Sequence, residues 1–167
     1  MSFGANNEVG FAGEVALSFW VKFVDLKGEM PILSKPSDAG KYGGWELLKS
    51  RTDHFVFCAG GVSGQAGCAP DRYAVERATV AVPNTWYNLA LVKSGNGVTL
   101  YLNGAPEASA VAGTSPEGAG MRRGADYGGG RFLSGLVDEV ALYSRALSPA
   151  EVQSIFQIGK GGACMKQ

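Results

Sequence analysis

The chain has 167 residues, 46% of them hydrophobic, with 15 Lys plus Arg against 15 Asp plus Glu. That size and apolar share suit one domain, residues 1–167, with a sizeable core, and they exclude wholesale disorder. The balanced charge, with Arg122-Arg123 as an isolated basic pair, excludes the clustered positive surface that a nucleic-acid partner needs, and no apolar run approaches the ~20 residues of a membrane span.

Glycine supplies 25 residues, about twice the usual share, which points to many strands joined by tight loops. Met1 is followed by polar, glycine-rich sequence without a leader pattern. That fits either a cytosolic protein or a chain that begins after a removed leader. Glu14 to Val24 places Val15, Leu17, Phe19, Val21 and Phe23 on one face at period two, which predicts a strand. A turn at Asp25 to Gly28 leads to a short strand, Met30 to Lys35, stopped by Pro36. Trp45 to Ser50 and His54 to Cys58 read as a hairpin joined by Arg51-Thr52-Asp53.

Cys58 and Cys68 bracket a loop rich in Gly, Ser and Ala. A disulfide there would contribute about 2–3 kcal/mol by restricting the unfolded chain and would imply an oxidising compartment. Two buried free thiols are the alternative. Cys164 is left over, and one His with three scattered Cys lacks zinc-site spacing.

Arg72 to Val82 reads as extended, and Trp86 to Lys93 and Val98 to Leu102 as strands either side of a Gly-containing turn. Asn103-Gly104 is a tight-turn dipeptide leading to Pro106 to Val111. Ala112 to Gly130 is expected to be a long glycine-rich connection, and Leu133 to Tyr143 the last long strand. Ser148-Pro149-Ala150-Glu151 has the form of a helix N-cap, with Gly159 as the expected end of the helix. About ten to a dozen short strands with one brief helix predict an all-β, two-sheet antiparallel sandwich or jelly roll with a short C-terminal helix.

Three stretches carry a family resemblance. Leu17 to Phe23 (LSFWVKF), Thr85 to Gly104 (TWYNLALVKSGNGVTLYLNG) and Ser134 to Val152 (SGLVDEVALYSRALSPAEV) resemble, in order and spacing, laminin G-like and concanavalin A-like lectin/glucanase domains. The resemblance implies two antiparallel sheets, one of them concave, and a binding role for glycans or protein surfaces. Relatives have a further strand before the first motif, where only Met1 to Gly13 stand here; the edge is abbreviated or the chain is a fragment. An aspartate at the position of Asp138 often holds a structural Ca2+ in such domains, together with backbone carbonyls near the N-terminus. Oxygen ligands suit that ion, and the alternative role for Asp138 is acceptance of backbone N–H groups.

Enzymatic glucanases of this kind place acidic residues at alternate positions of one strand, which aims them into one cleft. No such triplet occurs, and Asp138-Glu139 are adjacent, so on a regular strand they face opposite ways. His54 has no nucleophile-elbow partner, and Gly128-Gly129-Gly130 lacks the Lys and helix of a phosphate loop. Trp20 and Trp86 read as packing residues. Tyr42, Trp45, Arg72, Tyr73, Asp126, Tyr127 and Arg131 lie at loop–strand junctions and form the candidate ligand rim. Sugar rings stack on aromatic faces there, and their hydroxyls bond to Asp and Arg; half-buried packing at the sheet ends is the alternative. Glu139, Arg145 and Glu151 are expected to make local contacts that dock the helix. The function expected is noncatalytic extracellular or cell-surface recognition of carbohydrate. The rival is a protein–protein adhesion or surface-assembly module, for example an appendage subunit that binds a cell-surface protein.

Overall fold

A computed structural model describes residues 13–35, 45–59, 73–111, 122–125 and 130–161. Among these the elements are β1 (Val15–Phe23), β2 (Met30–Lys35), β3 (Trp45–Lys49), β4 (His54–Ala59), β5 (Tyr73–Val80), β6 (Trp86–Ser94), β7 (Gly97–Leu102), β8 (Ala105–Val111), β9 (Arg122–Arg123), β10 (Gly135–Tyr143) and α1 (Pro149–Gly161). Two five-stranded sheets form, in the orders β10-β1-β6-β7-β8 and β5-β4-β3-β2-β9. Every pairing is antiparallel, so the expected all-β sandwich with one C-terminal helix is the architecture found.

The period-two pattern of β1 explains the layering. Val15, Leu17, Phe19, Val21 and Phe23 enter the core between the sheets, where Phe19, Val21 and Phe23 are fully buried. From the facing sheet Ile32, Trp45, Leu47, Phe55 and Phe57 meet them, with the Phe55 ring edge-on to Tyr87 at 5.1 Å. The intervening residues of β1 face outward, and α1 packs on part of this face: Ala16, Ala90, Val92, Tyr101, Leu147 and Val152 make a second apolar cluster. Trp20 lies under the same helix, stacked on Phe156 at 5.8 Å.

Turn chemistry follows the sequence closely at Asn103-Gly104, whose φ values of 50° and 79° join Leu102 to Ala105. Both residues need the left-handed region that Asn and Gly tolerate. The helix start is also as expected. The Ser148 amide donates to Glu151 Oε2 (2.8 Å), and the Glu151 amide donates to Ser148 Oγ (3.3 Å), a reciprocal cap.

Three expectations need correction. The connection between β8 and β10 contains a strand, because Arg122 and Arg123 pair with Ser34 and Leu33; two residues are too few to show a period. Gly159 does not end the helix, which runs on to Gly161. Glycine is needed at this position inside the helix because a Cβ there would stand 2.6 Å from Trp20 Nε1. Asp138 and Glu139 do not alternate. Trp20 pairs with Asp138 and Ser18 with Ala141, so Glu139 and Val140 together oppose Phe19 in a β-bulge. Glu139 takes φ 49°, and both acidic residues are exposed.

Candidate functional site

The outer face of sheet β5-β4-β3-β2-β9 is built by the same alternation. Trp45 and Leu47 turn inward, which sends Glu46 and Leu48 outward. Ser34 pairs with Glu46, and Glu46 with Cys58, in one cross-strand row. Leu48, Val56 and Cys58 form a small buried apolar cluster on this face.

Beside it runs the segment that leads into β10. The Gly124 amide donates to the Ile32 carbonyl (2.8 Å), the Leu133 amide to the Gly124 carbonyl (2.9 Å), and Ser34 Oγ to the Ala125 carbonyl (2.8 Å). Ala125 also bridges Phe132. These bonds lay the segment along the β2 edge and bring Arg131 over the sheet. Its Nη1 bonds to Glu29, and its Nη2 reaches both Glu46 oxygens at 3.1 Å. All three side chains are mostly buried, at 18% exposure for Arg131, 19% for Glu29 and 15% for Glu46. Burial lowers the Arg131 pKa from its ordinary value, yet a guanidinium stays charged in proteins. Two carboxylates on one such fork fix its plane at a loop–sheet junction.

Among the residues expected at the ligand rim, Arg131 is thus in a built polar cluster. Trp45 begins a strand as expected, but its side chain is 3% exposed and packs on Phe57 at 6.2 Å. The pairing of Trp45 with Lys35 sets that inward direction. Tyr73 opens β5, opposite Ala59. Tyr42, Arg72, Asp126 and Tyr127 lie outside the described residues, as does Cys68; Cys58 is buried on β4. Glu29 and Glu46 were not singled out in the sequence. The alternation of Trp45 and Leu47 could have placed Glu46 outward, but no local signal marks Glu29, whose partner is 102 residues away.

Asp138 Oδ1 accepts the Glu139 amide at 2.8 Å, so the bulge itself uses this carboxylate. No cluster of three or more His, Cys, Asp or Glu side chains suited to a metal occurs among the described residues. Trp86 is half-buried under the Lys22 ammonium, 5.1 Å from its ring centre. Arg145 bonds Glu151 through both nitrogens (3.0 and 2.5 Å), while Glu139, expected in the same group, stands apart in the bulge. A depression of about 390 Å³ beside the helix start is lined by Val92, Thr99, Tyr101, Leu147 and Ser148, and by no charged side chain. Among the described residues no helix is long and apolar enough to cross a membrane.

The fold has solved counterparts. Domain 4 of AbnA, an extracellular arabinanase of Geobacillus stearothermophilus, aligns with 90% of this chain and 69% of its own at 19% identity and a TM-score of 0.73. The CBM40 of the Ruminococcus gnavus IT-sialidase aligns over 87% and 83% at 13% identity, TM-score 0.68. A pentraxin from Limulus polyphemus aligns over 93% and 80% at 16% identity, TM-score 0.62. No curated protein sequence matches the chain. Residues 3–153 match the family profile described as the concanavalin A-like lectin/glucanases superfamily, and the chain belongs to that superfamily.

Proposed function

We propose that the chain is a noncatalytic, extracellular carbohydrate-recognition domain whose glycan lies on the outer face of sheet β5-β4-β3-β2-β9, beside Arg131. The observation that carries this reading is the Glu29–Arg131–Glu46 cluster, a polar constellation fixed at a loop–sheet junction. Asp126 and Tyr127 stand next to Arg131 in sequence, and Tyr42, Arg72 and Tyr73 flank the strands of the same sheet. These residues supply the stacking rings and hydrogen-bonding groups that sugars need. The solved counterparts include complexes with arabinotriose and with α2,3-sialyllactose. A secreted setting goes with a Cys58–Cys68 bridge, which peptide mapping without reductant tests.

The decisive experiment is a glycan array followed by calorimetric titration of the best ligand. Arg131→Ala is expected to weaken binding at least tenfold, about 1.4 kcal/mol, with circular dichroism unchanged. Arg131→Lys is expected to fall between, because an ammonium lacks the planar fork. A folded Arg131→Ala that binds as wild type places the glycan elsewhere. Absence of any glycan ligand overturns the carbohydrate reading in favour of adhesion to protein. No glycan is expected to be cleaved, since the sequence lacks the same-face acidic triplet.

A further inference from the structure

Lys49 lies at the end of β3, with its side chain 0% exposed. Its ammonium is surrounded by four oxygens: the carbonyls of Leu26 (2.9 Å), Gly28 (2.6 Å) and Ser50 (3.1 Å), and Asp53 Oδ1 (2.6 Å). An ammonium has three N–H donors. Here it faces one carboxylate and three backbone dipoles, an all-oxygen shell of the kind that surrounds a hard cation. A buried charge is tolerated only when its surroundings are this complete.

The shell gathers separate pieces of chain. Leu26 and Gly28 belong to the β1–β2 loop, and Ser50 and Asp53 to the β3–β4 turn. Asp53 sits at φ 63° and accepts the Ala81 amide through its own carbonyl (2.8 Å). Asp25 joins the same end through Ser134 Oγ (2.7 Å), and its carboxyl is held below its ordinary pKa mainly by the Lys27 amide and Ser134. Gly28 precedes Glu29, one of the two carboxylates on Arg131.

We infer that these four oxygens form an internal cation site whose resident cation is the Lys49 ammonium, and that a free primary alkylammonium occupies the site when the lysine side chain is cut back. Lys49→Ala removes a propylammonium-sized group, so propylammonium chloride is the probe. The variant is expected to melt on the order of 10 °C below wild type, because carbonyls and a carboxylate lose their buried partner. At about 100 times its Kd, propylammonium is expected to raise the variant's Tm by roughly 5–10 °C. Wild type, with the site filled, should gain no more than in sodium chloride of equal ionic strength. Tetramethylammonium, which has no N–H, should not rescue.

Equal shifts in both proteins, or rescue by tetramethylammonium to the same degree, overturn the inference. If Lys49→Ala does not fold, acetylation of wild type decides. Lys49 is expected to react roughly 100-fold more slowly than the exposed Lys27, as a group that opens only with the fold, and comparable rates overturn the site. Neither readout involves a glycan, so the inference stands or falls apart from the carbohydrate reading.

Discussion

The two sheets turn very different outer faces to their surroundings. The face of β10-β1-β6-β7-β8 is closed by α1 through apolar packing of Ala16, Trp20, Ala90, Tyr101, Leu147 and Val152. On the opposite sheet the face carries Glu29, Arg131 and Glu46, whose charges are satisfied by each other across long sequence distances. Apolar packing is non-directional and seals a surface. A guanidinium held between two carboxylates is directional and orders the groups around it. The difference separates a face sealed by packing from a face ordered by charge, the one proposed for recognition.

The sealed face can be broken most sharply at Gly159. In an open helix interior, alanine improves on glycine by up to about 1 kcal/mol. Here an added Cβ would stand 2.6 Å from Trp20 Nε1 and 3.0 Å from two ring carbons. The indole is 4% exposed and backed by Phe156, so it has little room to move. Overpacking of that kind costs about 1–3 kcal/mol, which outweighs the propensity gain. Gly159→Ala is therefore expected to lower the urea midpoint, with a net loss of about 1–2 kcal/mol. Gly161→Ala, where no atom lies within 4 Å of the new Cβ, is the matched control and should be near neutral. Equal midpoints for the two variants would mean that α1 is not clamped on Trp20.

The sealed face was also the more legible one in the sequence. Its strand alternation, the Asn103-Gly104 turn and the Ser148–Glu151 cap are local signals, and each appears in the structure where the residues put it. Where reading failed, the cause was a contact distant in sequence. Gly159 looks like a helix stop until Trp20 is packed against it. Trp45 looks like a rim aromatic until its pairing with Lys35 turns it inward. Glu139 looks like a regular strand residue until the register with β1 shows the bulge. The face proposed for recognition suffers most, since Glu29, Glu46 and Arg131 come from three separate segments.

The edge of the sealed face gives a smaller test. Asp138 supports the bulge by accepting the Glu139 amide, so Asp138→Asn, which weakens a charge-assisted bond, is expected to cost about 1 kcal/mol. The loss should be the same in calcium and in chelator, measured by thermal melting. A structural calcium ion, the expectation raised by family resemblance, predicts otherwise. It would stabilise wild type alone, by about 2.7 kcal/mol at 100 times its Kd. A chelator-sensitive wild type beside an insensitive Asp138→Asn variant would assign the ion to this carboxylate and make the edge of the sealed face a metal site.

The smallest effect asks whether charge contributes to holding the helix at all. Glu151 takes hydrogen bonds from Arg145 and from the Ser148 amide and hydroxyl, and its pKa falls to about 2, with Arg145 the largest cause. A carboxyl whose folded pKa lies below its ordinary 4.5 binds protons more weakly in the folded state. Its contribution is therefore present above pH 4.5 and lost as the pH falls through about 2. Gln keeps the capping geometry but not the charge, so the difference in Tm between wild type and Glu151→Gln isolates the ionic part. That difference is expected to favour wild type at pH 6 and to shrink steadily between pH 4.5 and 2. It should also narrow in about 1 M salt, because exposed pairs are screened and contribute little. A gap unchanged at pH 2 would mean that the carboxylate charge is not what Arg145 and Ser148 recognise. The helix would then rest on this face by packing alone, and the contrast with the charge-built face opposite would be complete.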